Sequence, residues 1–270
     1  MKKWYAVIGD PIAHSRSPEM HTRWLDEEKI DASYIPIHLT KEQLAEGVNS
    51  LRLLGCSGWN VTVPHKEAII PLLDAIDPLA EKMQAVNTVV RQADGTLKGY
   101  NTDGLGYVRS LEERFPEISK ESRVLIIGAG GAAKGIAFAM KQEGYSSITI
   151  TNRTIERAET LAQSLGKQAM TLDEASEQLD SFDILIQTTS VGMQHSIQGV
   201  PLDLANLRSD AIVTDIIYTP KETEFLRLAR QKGAKTMNGL GMFIHQGALA
   251  FSYWTNRYPD AQSLMNEWNN

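Results

Sequence analysis

The sequence predicts an α/β protein of two domains, the first with a mixed sheet and the second with a parallel sheet. Three observations favour this fold class. Strand and helix patterns alternate along most of the chain, an Asp-Gly turn interrupts the alternation near residue 95, and the alternation begins again after residue 123. The length of 270 residues is also more than a domain of about 150 residues needs.

The first half of the chain opens with a strand predicted at residues 4–8 and a helix predicted to begin at Ser17. Ser17 is a favourable N-cap residue. Pro18 suits the first helical position because its fixed φ matches a helix and its missing N–H would have no partner there. A strand at residues 34–39 and a helix that ends at Gly55 follow. These elements form a βαβα series.

A further strand predicted at residues 59–63 is broken by Pro64. Two more strands, at residues 86–90 and 97–100, flank the Asp-Gly dipeptide at residues 94–95, which is a strong hairpin signal. A hairpin makes its two strands antiparallel, whereas βαβ units make theirs parallel. We therefore expect a mixed sheet in the first hundred residues.

The second half begins after a helix that ends near Phe115 and a polar segment at residues 116–123, which we interpret as a domain junction. Beyond it, alternating strands and helices predict a parallel sheet. The predicted strands lie at residues 124–127, 147–151, 183–187 and 211–217, and the predicted helices lie from residue 131 and at 155–165, 222–232 and 239–258. The predicted domains are therefore 1–115 and 116–238, followed by C-terminal helices at 239–270.

Charge and hydropathy exclude several classes of function. Lys and Arg number 27 against 33 Asp and Glu, so the formal charge is −6, and the charges are interspersed. Nucleic acids and anionic membrane surfaces require clustered positive charge, so neither is an expected partner. The longest apolar stretch, residues 124–133, is far shorter than the roughly 18 residues that a membrane-spanning helix needs. We expect a protein with no membrane partner.

Disulfide and metal chemistry are also disfavoured. Cys56 is the single cysteine, and one cysteine cannot form an intramolecular disulfide. The six histidines have none of the spacings typical of a metal site; they are residues 14, 21, 38, 65, 195 and 245. We expect a cytoplasmic location and no bound metal.

The most specific motif is a glycine-rich turn between a strand and a helix. Residues 128–133 read Gly-Ala-Gly-Gly-Ala-Ala, which fits G-x-G-x-x-A. The first glycine permits the tight turn, the second lets backbone N–H groups approach a pyrophosphate, and the final alanine allows close helix packing. A turn without a ligand is the alternative. The candidate dinucleotide-binding residues here are Gly128, Ala129, Gly130, Gly131 and Ala132.

The end of the next predicted strand indicates which dinucleotide binds. An NAD site normally carries Asp or Glu there to accept the ribose hydroxyl, but residues 151–154 read Thr-Asn-Arg-Thr. Arg153 and Arg157, four positions apart, can instead surround a 2′-phosphate. We therefore expect NADP, with solvated helix-surface arginines as the alternative.

Polar residues near the strand ends of the first domain are candidates for binding a substrate. Ser15 and Ser17 lie in a strand-to-helix turn, where hydroxyls and free N–H groups can hold a carboxylate or a polyol, although a simple N-cap also explains them. Lys66 and Asp103 each follow a predicted strand, so a cation and a carboxylate can meet at one rim of the sheet. A salt bridge far from any ligand is the alternative.

A Lys–Asp pair suits the reduction of a carbonyl group. When hydride reaches a ketone carbon, negative charge develops on the oxygen, and a nearby ammonium group can stabilise that charge and donate the proton. Asp103 would orient the ammonium group of Lys66 and a substrate hydroxyl. The sequence contains no nucleophile elbow or Cys/His arrangement for acyl transfer.

Taken together, these motifs resemble those of the shikimate dehydrogenase family. The segments that carry the resemblance are Ser-Arg-Ser-Pro-Glu-Met-His at 15–21, Asn-Val-Thr-Val-Pro-His-Lys at 60–66, Ala-Val-Asn-Thr at 85–88, Asn-Thr-Asp-Gly at 101–104, Gly-Ala-Gly-Gly-Ala at 128–132, Asn-Arg-Thr at 152–154 and Asn-Gly-Leu-Gly-Met at 238–242. They occur in order over nearly the whole chain. The resemblance implies NADP-linked reduction of 3-dehydroshikimate to shikimate, a step of the chorismate route to aromatic amino acids.

The resemblance also implies an architecture and residue roles. A substrate domain and a Rossmann-type NADP-binding domain would flank the active site in an interdomain cleft, and the C-terminal helices would return to the substrate domain. Lys66 and Asp103 would form the catalytic pair. The implied substrate contacts are Ser15, Ser17, Thr62, Lys66, Asn87, Asp103, Tyr218 and Gln246. The implied cofactor contacts add Asn152, Arg153, Thr154, Arg157, Ile216 and Gly239 to the glycine-rich turn.

Two other functions stay open at this point. A dehydrogenase that also oxidises quinate, often with NAD, has overlapping motifs, and a non-catalytic NADP-binding regulator would keep the fold. The sequence is compatible with a monomer or a homodimer.

Overall fold

A computed structural model describes residues 2–194 and 197–269. His195, one of the six histidines considered above, lies outside the described residues. The chain divides into two compact units. Unit 1 runs to Gly106 and resumes at Ile244, whereas unit 2 is Tyr107–Phe243. The domain boundaries that we place at residues 115 and 238 stay predictions from the sequence.

Unit 1 begins with alternating strands and helices. In chain order its elements are β1 (Lys3–Gly9), α1 (Ser17–Glu27), β2 (Ala32–His38), α2 (Leu44–Leu53), β3 (Gly58–Val61), β4 (Ala75–Ile76), α3 (Pro78–Met83), β5 (Thr88–Arg91), β6 (Leu97–Tyr100) and the start of α4 (Asp103–Arg114). Helix α1 begins at Ser17, as predicted, but its N-cap is Arg16, and no side chain caps the helix. Our prediction that Ser17 is the N-cap and Pro18 the first helical residue is therefore wrong by one position.

Unit 2 continues the alternation after α4. Its elements are β7 (Val124–Ile127), α5 (Gly131–Gln142), β8 (Ile148–Thr151), α6 (Ile155–Leu165), β9 (Gln168–Met170), α7 (Leu172–Glu177), β10 (Ile184–Gln187), β11 (Ile212–Asp215), α8 (Glu224–Gln231) and β12 (Lys235–Met237). Two helices follow: α9 (Leu240–Thr255), most of which lies in unit 1, and α10 (Ala261–Asn269).

The sheet of unit 1 is mixed, as the sequence predicts. Its order is β2-β1-β3-β5-β6-β4. Strand β1 runs parallel to β2 and β3, while β5 is antiparallel to both β3 and β6. Gly95 supports the β5–β6 hairpin with a φ of +87°, a conformation that side chains disfavour. The hairpin is thus the feature that makes this sheet mixed.

The two faces of the unit 1 sheet pack against different helices. One face buries Ala6, Ile8 and Trp59 in a cluster with α2. On the other face, Trp254 of α9 stacks on Tyr5 with ring centroids 4.9 Å apart, and its indole N–H donates to the Val89 carbonyl. Burial of one large apolar side chain contributes about 1.5–3 kcal/mol, so α9 helps to hold unit 1 together.

The sheet of unit 2 is parallel and has the doubly wound strand order. The order is β12-β11-β10-β7-β8-β9, and all neighbouring strands are parallel. The first strand, β7, lies in the middle of the sheet; β8 and β9 extend the sheet on one side of it, and β10, β11 and β12 extend it on the other. This is the Rossmann arrangement that the sequence predicts. In such sheets ligands bind at the carboxyl ends of the strands, at the point where the strand order reverses. The glycine-rich turn at residues 128–131 follows β7 directly.

Candidate active site

The strand pairing of unit 1 brings two of the predicted loops to one edge of its sheet. Ile8 of β1 lies beside Val61 of β3, and the two strands are parallel. The loop after β1 carries Ser15, whose Oγ accepts a 3.3 Å hydrogen bond from the Ser17 N–H. The loop after β3 carries Thr62, whose N–H donates to the Ile8 carbonyl. Ser17 is buried, whereas Ser15 and Thr62 are half-buried.

Lys66 and Asp103 meet, as the sequence predicts. The Lys66 ammonium group donates a 2.6 Å hydrogen bond to Asp103 Oδ2. The Lys66 side chain is 32% exposed and that of Asp103 is 18% exposed, so both groups can reach a ligand. Asp103 is also the first residue of α4, where the helix dipole stabilises a carboxylate. The structure therefore provides a fixed cation and a fixed acceptor side by side.

Asn87 holds the second oxygen of the Asp103 carboxylate. Its Nδ2 donates to Asp103 Oδ1 at 2.8 Å and to the Thr102 hydroxyl at 2.9 Å. Its Oδ1 accepts the Thr102 N–H at 2.9 Å. Because a backbone N–H only donates, this bond fixes the orientation of the amide and directs the NH2 group toward Asp103. Thr102 is a supporting residue that our sequence analysis does not single out.

The two remaining predicted substrate contacts lie in different units. Gln246 of α9 is half-buried in unit 1, and its Oε1 is 3.5 Å from Asn87 Nδ2. Tyr218 belongs to unit 2, where its ring packs on Phe243 with centroids 5.3 Å apart. Gln246 thus joins the cluster around Asn87. The role of Tyr218 stays a prediction.

The glycine-rich turn has the geometry that a pyrophosphate requires. Gly128 has a φ of +119°, and a Cβ atom there would collide with the Thr188 hydroxyl. By contrast, a Cβ added at Gly130 or Gly131 would have no heavy atom within 4 Å. Helix α5 begins at Gly131, so its first N–H groups have no carbonyl partner within the helix. The residues present therefore fit the phosphates of a dinucleotide.

The end of β8 supplies two guanidinium groups. The Asn152 amide donates to the Thr154 carbonyl at 2.9 Å and so closes the turn before α6. Arg153 and Arg157 are exposed. Neither guanidinium group makes a hydrogen bond or an ion pair within residues 2–194 and 197–269. Both can therefore turn toward a phosphate group.

Close backbone packing explains the glycine that precedes α9. A Cβ atom at Gly239 would overlap the backbone carbonyl of Ile216, and the Gly239 N–H donates to the Ile217 carbonyl at 3.0 Å. Ile216 and Tyr218 also line a cavity of about 480 Å³ in unit 2, together with Thr188. Gly239 thus fixes the position of a segment that borders this cavity.

Asp215, at the end of β11, is a buried carboxyl group whose importance the sequence analysis misses. Its oxygens accept hydrogen bonds from the Ile217 N–H at 2.9 Å and the Thr223 hydroxyl at 2.7 Å. Burial raises the pKa of Asp215 to about 6, and these two hydrogen bonds only partly oppose that effect. The sequence signal that could have identified it is a carboxyl group near the end of the strand predicted at 211–217, in the segment Ala-Ile-Val-Thr-Asp at 211–215.

The described residues contain neither a membrane-spanning helix nor a metal-binding cluster. Among residues 2–194 and 197–269, no helix is long and apolar enough to cross a membrane. The same residues contain no cluster of three or more His, Cys, Asp or Glu side chains arranged to hold a metal ion.

Comparison with known proteins identifies the family. Three family models match: the shikimate dehydrogenase substrate binding domain at residues 7–89, shikimate/quinate 5-dehydrogenase at 110–200, and the shikimate 5′-dehydrogenase C-terminal domain at 239–267. Shikimate dehydrogenase (NADP(+)) of Lysinibacillus sphaericus is 54% identical over 266 residues, which cover 98% of this chain and 96% of the relative. The chain belongs to the shikimate dehydrogenase family.

Solved structures of this family have the same fold. Shikimate 5-dehydrogenase of Thermus thermophilus in complex with NADP(H) and shikimate matches with a TM-score of 0.89 and 36% identity, covering 98% of this chain and 97% of that one. Shikimate 5-dehydrogenase of Listeria monocytogenes in complex with shikimate and NAD matches with a TM-score of 0.92 and 33% identity, covering 99% and 96%. Members of the shikimate dehydrogenase family therefore share the whole architecture of this chain.

Proposed function

We propose that this chain catalyses the reversible reduction of 3-dehydroshikimate to shikimate with NADPH, in the biosynthesis of aromatic amino acids. One observation carries the proposal: Lys66 contacts Asp103 at 2.6 Å, and Asn87 holds the other carboxylate oxygen at 2.8 Å. This arrangement presents an oriented ammonium group at the edge of a sheet. Family membership gives the substrate class, and the glycine-rich turn supports the cofactor.

The residues of unit 1 have distinct roles in this chemistry. Bound NADPH supplies the hydride that reduces the C3 ketone. The Lys66 ammonium group stabilises the negative charge that develops on the ketone oxygen and donates the proton that completes the hydroxyl group. Asp103 orients the ammonium group and accepts a hydrogen bond from a substrate hydroxyl. In the direction of oxidation, neutral Lys66 takes the hydroxyl proton back.

The remaining polar groups of the cluster bind the substrate. Ser15 and Ser17 hold the carboxylate through their hydroxyl groups, while Thr62, Asn87 and Gln246 contact the ring hydroxyls. Tyr218 is a further proposed contact. The hydroxyl and amide groups of this set match a small polyhydroxy acid, because each can donate a hydrogen bond.

Unit 2 holds the cofactor. The backbone N–H groups at Gly128, Ala129, Gly130, Gly131 and Ala132 bind the pyrophosphate, supported by the start of α5. Asn152, Arg153, Thr154 and Arg157 surround the 2′-phosphate of the adenosine ribose. Ile216 and Gly239 border the groove that holds the rest of the cofactor. The location of the active site in an interdomain cleft stays a prediction from the sequence resemblance.

We also propose a cytoplasmic location, which the single buried cysteine, Cys56, supports because it forms no disulfide. The protein acts as a monomer or a homodimer, and every proposed contact comes from one chain.

Two alternatives are weaker. Activity on quinate is favoured by the name of one family model, which covers both shikimate and quinate dehydrogenases, and by similarity to a solved quinate dehydrogenase at 30% identity. A non-catalytic regulator is disfavoured because Lys66 and Asp103 are present and in contact.

Initial rates of NAD(P)H formation distinguish these functions. Shikimate and quinate are each paired with NADP and with NAD, and we expect high kcat/KM only for shikimate with NADP. That result also supports Arg153 and Arg157 as the 2′-phosphate ligands. Comparable rates with quinate or NAD would assign the chain to a dual-specificity function. The absence of turnover with all four pairs would contradict the enzymatic function.

A further inference from the structure

A continuous series of side-chain hydrogen bonds leads from the interior of unit 1 to the Lys66–Asp103 pair. The Tyr34 hydroxyl donates to Asn60 Oδ1 at 2.7 Å, and Asn60 Nδ2 donates to the Thr88 hydroxyl at 3.2 Å. The Thr88 hydroxyl in turn donates to Asn87 Oδ1 at 3.0 Å. Asn87 then donates to Asp103. Each group in this series donates toward the carboxylate.

The backbone determines the direction of this series. Asn60 Nδ2 also lies 3.3 Å from the Asn87 carbonyl, which only accepts hydrogen bonds, so the amide of Asn60 has one possible orientation. Its Oδ1 must therefore face Tyr34. Tyr34 provides the donor for this buried oxygen, and a buried acceptor without a donor is costly.

Packing fixes the ring of Tyr34. Its ring stacks on His21 of α1 with centroids 4.4 Å apart and also contacts Trp254 of α9 at 6.1 Å. Burial lowers the pKa of His21 to about 3, so the stacked imidazole is neutral. Burial also raises the pKa of Tyr34 well above its usual value, so its hydroxyl keeps its proton and remains a donor. The hydroxyl therefore has a defined position.

We propose that Tyr34 is a positioning residue for catalysis: its hydroxyl fixes Asn60, and Asn60 acts through Thr88 on Asn87, which holds Asp103 in the orientation that Lys66 needs. This inference rests on the proposed function, because the reaction is its readout. Tyr34 does not transfer protons, since the amide groups in the series do not pass protons along. Its contribution is geometric, and small displacements of catalytic groups reduce turnover strongly.

The test compares Tyr34→Phe with a matched control, Tyr107→Phe. Both variants lose one buried hydroxyl that bonds a neutral side chain, because the Tyr107 hydroxyl lies 2.7 Å from the Thr214 hydroxyl in unit 2. Tyr34→Phe keeps the ring that stacks on His21. We expect Tyr34→Phe to lower kcat for shikimate oxidation about tenfold with an unchanged KM for NADP. We expect Tyr107→Phe to lower Tm by about as much as Tyr34→Phe does, while its kcat stays within about twofold of the wild-type value.

A second variant tests the route. Thr88→Val interrupts the series one step from Asn87, so Tyr34→Phe should add no further loss of kcat in the Thr88→Val background. A full additional loss in the double variant would contradict action through Thr88. Thr88→Val also provides a test if Tyr34→Phe does not fold.

A measurement without substrate separates this inference from the proposed function. In ¹⁵N-labelled ligand-free protein, the side-chain amide resonances of Asn60 and Asn87 should shift in Tyr34→Phe and not in Tyr107→Phe. The inference is overturned if kcat of Tyr34→Phe stays within about twofold of wild type, if both phenylalanine variants lose kcat equally, or if the Asn87 resonance does not respond. If the wild-type protein lacks turnover, the proposed function fails instead, and the resonances alone decide whether Tyr34 positions Asn87.

Discussion

Asp103 and Asp215 are carboxyl groups in opposite surroundings, and this difference separates the proposed catalytic role of Asp103 from a structural role of Asp215. Asp103 is 18% exposed and pairs with Lys66, whereas Asp215 is 1% exposed and accepts hydrogen bonds from neutral groups of Ile217 and Thr223. A buried carboxylate without a cation is costly to ionise. Asp215 consequently fixes the turn before Tyr218, and its ionisation reduces stability.

The pH dependence of unfolding tests this reading of Asp215. The pKa of about 6 in the folded state exceeds the ordinary value of 3.8, so the folded protein binds more protons than the unfolded chain between these two pH values. The contribution of this group to the free energy of unfolding therefore falls as pH rises from about 4 to 6, by about 3 kcal/mol, and is constant above that range.

The appropriate measurement is urea unfolding of wild type and Asp215→Asn across this range. Asparagine keeps an acceptor oxygen but does not titrate, and the effects of other carboxyl groups cancel in the difference. We expect the stability of the wild-type protein relative to the variant to decrease from pH 4 to pH 7. A difference that is independent of pH would show that burial does not perturb Asp215.

At the scale of elements, two helix starts in unit 2 need glycine for different reasons. Gly239, just before α9, has no room for a Cβ atom because the Ile216 carbonyl occupies that space. Gly131, the first residue of α5, has open space around it. The requirement at Gly239 is therefore internal packing, while we propose that the requirement at Gly131 is the close approach of a phosphate group.

Alanine substitutions separate these two requirements. Gly239→Ala should lower Tm by several degrees, because the added Cβ atom would overlap the Ile216 carbonyl. A loss of about 1 kcal/mol in stability corresponds to roughly 2–4 °C in a protein of this size. Gly131→Ala should leave Tm unchanged, or raise it slightly through better helix propensity, while KM for NADP increases. Thermal scans of the ligand-free proteins and NADP titrations check both results. Equal Tm losses in the two variants would contradict the distinction.

For the whole molecule, the sequence predicts those structural elements that have a strong local signal, and it does not predict features that depend on contacts between distant residues. The hairpin at Gly95 and the turn at Gly128 are predictable because positive φ angles restrict the residue type. The strands β4, β9 and β12 escape prediction because two or three residues show no periodicity. The end of our predicted strand at 211–217 is too late, because Asp215 and Ile217 form a turn.

In the candidate site, too, some residues are predictable from the local sequence, and others depend on which strands become neighbours in the fold. Lys66 and Asp103 are predictable as a pair because both follow strands whose ends share an edge. The support that we propose for Tyr34 is not predictable, because it depends on the order β2-β1-β3, in which strands distant in the chain become neighbours. The sequence thus indicates the proposed reacting groups, and the fold adds a residue that we propose to position them.

Lys66→Ala tests whether Lys66 supplies the proton and the charge stabilisation for the reaction. The matched control is Lys2→Ala, which removes the exposed ion pair between Lys2 and Asp31 in the same unit. An ion pair as exposed as Lys2–Asp31 contributes at most about 1 kcal/mol to stability, so Lys2→Ala should fold normally, and Tm shows whether Lys66→Ala also folds. We measure kcat for shikimate oxidation with NADP alongside Tm. We expect Lys66→Ala to lose turnover by about 10²-fold or more with little change in Tm, while Lys2→Ala keeps the wild-type kcat. Near-normal turnover in folded Lys66→Ala would show that Lys66 does not have this role.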